Sequence, residues 1–370
     1  MALRLLPGAE CYEVHPTSAN LWTLTPMDTD PEIVFHRYFA TLPPAEHQKY
    51  RGKVDLTQTS ITDFERILLG LQAAINEALS QEDKNVDHHV PHGPFHFDYI
   101  DSDVENALAF SCGGFSFIGI TEPLVYKLWR LCAILDPVAA EFLNPALIQA
   151  LPPGALGTVL FRALLFFVVS HEYTHHVHGH ISRTVLHDKI FNEISTSRDI
   201  GSLDDQALEI DADGYAAFLV INNLIHGAER EVAVSILELQ EQSPQSQDNT
   251  LLTCFVMATG AFFYHGSPVV IDASTICALS HPPQAARMNW VVTEACRWCS
   301  YNNSSLLSWF TNENFNAIMA IVAEATWGSD GSRNWADQTE FFRSENGAKY
   351  LRDLNGRWLA HRGSLVDSRS

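Results

Sequence analysis

The chain has 370 residues, 46% apolar and 18% charged, with a formal net charge of −21. That profile is globular rather than disordered. The negative balance argues against sequence-independent nucleic-acid binding and against docking on an anionic membrane surface, since both need positive charge. The seven cysteines are odd in number and scattered, which suits a reducing compartment rather than a disulfide framework.

From the N-terminus, "MALRLLPGAECYEVHP" is too short in apolar residues for a signal peptide, and the expected location is the cytoplasm. A short helix is expected around "PEIVFHRYFATL", then an amphipathic helix over 61–81 capped by Thr62 or Asp63. Residues 82–103, with His88, His89, His92 and His96, read as a solvated loop because Pro91, Gly93 and Pro94 break any regular ligand spacing. "NALAFSCGGFSFIGIT" (106–121) alternates and predicts two short strands joined at the Gly-Gly. A helix follows over 123–143, and then the apolar run 159–170, which ends in "HEYTHHVHGH". This run and 251–265 both fall short of the ~20 apolar residues that span a bilayer, so buried core helices and no membrane insertion are expected.

Further on, a polar connection reaches residue 204, and 204–225 reads as a second long helix capped by Asp204 or Asp205. Helix is expected over 228–240. The polar stretch 241–250 is the best candidate for a flexible loop. "SHPPQAARMNWVVTEACRWC" is a proline-broken turn opening another helix, in which Cys296 and Cys299 are read as ordinary thiols. The C-terminal part is helical. The fold class is therefore mainly α with a small β-sheet (α+β).

His171, Glu172 and His175 form HExxH on a helix. The spacing puts both imidazoles one turn apart on one side, where they can reach a single Zn²⁺, and Glu172 can take a proton from water on that ion. Two histidines and a glutamate at the end of a buried helix are costly unless something compensates them, and one metal ion does. A third protein ligand is needed. The continuation HExxHxxGxxH fails, because His178 stands at the glycine position and Ile181 at the last histidine position. His176 and His180 are accordingly expected to support the ligands or to face solvent. In "ALEIDADGYAA", Glu209 and Asp213 lie four apart on one face, with small neighbours that permit close helix approach. Glu209 is the expected third ligand, with Asp211 as the alternative. Asp213 would accept the free ring N–H of a ligand histidine.

HExxH followed by ExxxD resembles the gluzincin class of zinc metallopeptidases. "NALAFSCGG" and "SHPPQAARM" further resemble elements of the family of the CAAX prenyl protease and the bacterial heat-shock membrane protease, in that family's order. The resemblance spans roughly residues 104–290 and implies a zincin-like metallopeptidase core, placed at 101–295. The flanks 1–100 and 296–370 read as mostly helical regions, with one continuous domain as the alternative. It implies one catalytic Zn²⁺ and a protein or peptide substrate. An active-site edge strand at Asn106, Ala107, Leu108 and Ala109 would pair with an extended peptide. His281 would stabilise an oxyanion, and Arg287 would orient the carboxylates. The membrane-spanning helices of several members are absent, and the oligomeric state stays open. A weaker resemblance, on HExxH alone, is to bacterial phage-exclusion peptidases. A catalytically inert, metallopeptidase-like binding module is the non-enzymatic alternative.

Overall fold

The structure is a computed structural model and describes residues 30–56, 62–85, 92–140, 151–183, 201–266 and 268–367. Helix α1 (Pro31–Ala40) opens on Asp30, whose side chain accepts from the Glu32 N–H. A short α2 (Pro44–Lys49) leads into β1 (Tyr50–Lys53). Helix α3 (Asp63–Asn85) starts in a reciprocal capping box. Thr62 Oγ1 accepts from the Glu65 N–H at 3.2 Å, and the Glu65 carboxylate accepts from the Thr62 N–H at 2.6 Å.

Strands β2 (Phe95–Ser102), β3 (Ala107–Cys112) and β4 (Phe115–Thr121) complete a four-stranded sheet in the order β1-β2-β4-β3. The β2–β4 pair is parallel and the other two are antiparallel. The expected β3–β4 hairpin turns at Gly113 and Gly114, whose φ of 58° and 86° suit glycine. Strand β2 is a correction, because its segment reads as loop in sequence. Its Asp98 side chain and Phe97 backbone find partners distant in sequence. Asp98 accepts from Gln72 Nε2 at 2.8 Å and pairs with Lys53, while the Asn76 amide bonds the Phe97 N–H and C=O. His88 and His89 lie outside the described residues.

The sheet alternates between two cores. Phe97, Tyr99, Ile118 and Ile120 face the main core, and Ile100, Leu108, Phe110 and Phe117 close on Val34, Phe35 and Phe39 of α1. Helix α4 (Glu122–Ala139) precedes α5 (Ala155–Val177), which is the spine of the molecule. Among the described residues α5 alone is long and apolar enough to cross a membrane, yet 89% of its apolar window is buried inside the fold. It packs on α4, β3 and β4, and on α7 (Leu203–His226) and α9 (Pro244–Tyr264). A one-turn α6 (His180–Arg183) follows α5; most of the expected polar connection, residues 184–200, lies outside the described residues.

Two boundaries differ from expectation. Helix α7 is capped by Ser202, which accepts from the Asp205 N–H at 3.1 Å, so Asp204 and Asp205 sit in its first turn. The polar stretch 241–250 is not a loop throughout: α9 begins at Pro244, capped by Ser243, and its buried Asp248 pairs with Arg230 on α8 (Ala228–Ile236). The chain finishes with α10 (Gln284–Asn302), α11 (Asn312–Trp327), α12 (Ser329–Arg343) and α13 (Glu345–Asp367), the last of which returns to pack against α7. The result is mostly helical with a small mixed sheet, as the α+β reading expects.

Candidate metal centre

The last turns of α5 present His171, Glu172 and His175, all without solvent exposure. The two Nε2 atoms lie 3.0 Å apart. Close packing of α7 on α5 brings Glu209 opposite them, with Oε2 3.4 Å from His171 Nε2 and Oε1 3.8 Å from His175 Nε2. A tetrahedral ion with bonds of ~2.0–2.1 Å spaces its donor atoms roughly 3.3–3.4 Å apart, so these distances bracket the requirement. The chemistry agrees. His171 Nδ1 lies 3.0 Å from Asp213 Oδ1, an acceptor, which places the ring proton on Nδ1 and leaves a lone pair on Nε2. Glu209 Oε2 is buried and makes no hydrogen bond. Lone pairs converge here on a point that a cation would satisfy.

Asp213 is wholly buried. Burial pushes its carboxyl up, but Arg287, with His171, outweighs that and holds it below the ordinary carboxylate value. Arg287 donates from Nε and Nη2 to the two Asp213 oxygens at 2.7 Å each, and its Nη2 lies 3.8 Å from Glu209 Oε2. The guanidinium stacks over Phe263 of α9, 4.5 Å from the ring centroid. His281, in the turn before α10, points Nε2 toward Glu209 Oε2 at 3.6 Å, and its side chain is 23% exposed. The structure therefore gathers His171, His175, Glu209, Asp213, His281 and Arg287 in one place, with Glu172 in the same helical turn.

His176, His178 and His180 do not face solvent. His176 is buried with Nε2 3.0 Å from the Phe117 carbonyl, which ties α5 to β4, and burial lowers its pKa to about 4. Helix α5 ends at Val177 with His178 as its C-cap, and Gly179 follows with a φ of 70° that turns the chain back. His178 and His180 are thereby buried beside α7, where both approach Asp211 Oδ2, at 2.6 and 3.2 Å. Burial raises the Asp211 carboxyl, yet the two histidines outweigh it and hold it well below its ordinary value. Asp211, the alternative ligand, thus belongs to a second cluster, and His178 and His180 acquire partners that spacing on a single helix does not reveal. The sequence signal was there in "HVHGH" and "EIDAD", where an HxH and an intermediate aspartate sit beside the first set.

Asn106 precedes β3. Its side chain donates to Tyr50 Oη at 2.9 Å, and its backbone exchanges bonds with Thr121. Ala107, Leu108 and Ala109 lie on β3, which pairs only with β4 among the described residues and so forms an edge of the sheet, packed against α5. The Cys296–Cys299 pair sits on α10 as free thiols, and burial pushes Cys299 up to about 12. Comparison with protein-family models, curated proteins and solved structures finds no match for this chain.

Proposed function

We propose that the protein is a zinc-dependent peptidase of gluzincin type, with a zincin-like core made of α5, α7 and the edge of the sheet. The observation that carries this reading is the convergence of His171, His175 and Glu209 on one buried point with Glu172 beside it. A divalent ion such as Zn²⁺ held there would acidify water and polarise a substrate carbonyl. The Glu172 carboxylate then takes a proton from the attacking water and delivers it to the leaving amine. His281, the most exposed of the group, donates from its ring to the oxyanion that develops on the carbonyl. Arg287 holds Asp213, and Asp213 holds His171, so the ligand enters the reaction already oriented. Strand β3, at the end of the sheet order, would pair with an extended peptide substrate.

Glu172→Gln tests the assignment. The amide keeps the shape of the side chain and cannot take the proton. Peptide cleavage should fall by at least ~100-fold, with metal content by elemental analysis unchanged. Near-full cleavage by this variant would remove Glu172 from the chemistry.

A further inference from the structure

A second cluster, His178, His180 and Asp211, also places its donor atoms within 4.8 Å of one another. Distance separates the two clusters. The 2.6 Å contact from His178 Nδ1 to Asp211 Oδ2 is a charge-assisted hydrogen-bond length, well short of the roughly 3.3 Å between co-ligands of one ion. Asp211 is also saturated by protein groups. Oδ2 faces His178 and His180, and Oδ1 accepts from Trp358 Nε1 at 2.7 Å and Arg362 Nε at 2.8 Å, both on α13.

Proton placement follows from these contacts. An ionised carboxylate only accepts, so His180 carries a proton on Nε2, and with the ring in its neutral form Nδ1 is an acceptor. His175 Nδ1 lies 2.9 Å from that atom and therefore donates to it. The lone pair of His175 then sits on Nε2, the atom that faces His171 and Glu209. An ion on His180 Nε2 would displace its proton to Nδ1 and force the His175 proton onto Nε2. The two clusters cannot both be loaded without stripping a further proton.

We propose that His180 is the positioning residue for the ligand His175, acting through a chain from His175 to His180 to Asp211 that is anchored on Trp358 and Arg362 of the last helix. This rests on the metal reading of the first cluster. It makes the histidine relay the counterpart of the Asp213–Arg287 pair behind His171, and it predicts one tightly bound ion per chain.

The test is a titration of the full-length chain with Zn²⁺ against a chromophoric chelator, together with the visible spectrum of the Co²⁺-loaded protein. Wild type should bind one equivalent. His180→Ala should bind 10–100-fold more weakly with an altered Co²⁺ spectrum. His180→Gln, whose amide oxygen can accept from His175 Nδ1, should recover much of the affinity and serves as the control for folding. An unchanged affinity and spectrum in a folded His180→Ala would overturn the relay while leaving the first site intact. Two tight equivalents in wild type, one of them lost in His180→Ala, would make the second cluster a metal site instead. No binding by wild type would sink the metal reading itself, and the relay with it.

Discussion

Arg287 makes both of its short bonds to a carboxylate that has no exposure of its own. A buried pair of this kind is weak evidence for net stabilisation, because both ions lose their hydration. Removing one partner is another matter, since the remaining charge keeps its desolvation cost and loses its compensation. Arg287→Met keeps the packing on Phe263 but leaves Asp213 with only His171. Urea denaturation should show a loss of about 3–5 kcal/mol, and the double variant Arg287→Met/Asp213→Asn should regain much of it. A single variant as stable as wild type would mean that Asp213 is not held as an ion.

Among the elements, the turn after α5 controls the most. Gly179 sits at φ 70° and sends the chain back so that His180 meets His175. A side chain at that φ costs about 1–2 kcal/mol. Gly179→Ala should therefore lower the melting temperature and weaken Zn²⁺ binding together; binding weakened without any loss of stability would point to a different cause. The same turn explains what could be read in advance. His171, His175, Glu209 and Asp213 were legible because each pair repeats at four residues on one helix, and a helix fixes where such residues point. The partners of His178 and His180 depend on a reversal between helices, which periodicity cannot express. Strand β2 was missed for a related reason. Asp98 looks like a loop residue until Lys53 and Gln72 are brought alongside it, and Asn76 alongside the Phe97 backbone. The start of α9 was a different matter, because Ser243-Pro244 is a cap signature that the polar composition of the stretch obscured.

Across the whole molecule, the site draws on segments distant in sequence. Helices α5 and α7 supply the donor atoms, the turn before α10 supplies His281, α10 supplies Arg287, and α13 clamps Asp211. An unfolded chain has no such arrangement, so an ion held there acts as a ligand of the native state alone. It adds stability as RT ln(1 + [L]/Kd), about 4 kcal/mol at a thousandfold excess over Kd. Because the donors sit on the central helices rather than on a peripheral loop, the effect should appear in global unfolding. Stripping the metal with a chelator should lower the melting temperature of the main calorimetric transition. Zn²⁺ should restore it, and Glu209→Ala should melt below the loaded wild type with little response to either addition. If the chelator removes bound metal from the wild type and the transition does not move, the ion sits at the periphery and the three donors on α5 and α7 do not hold it.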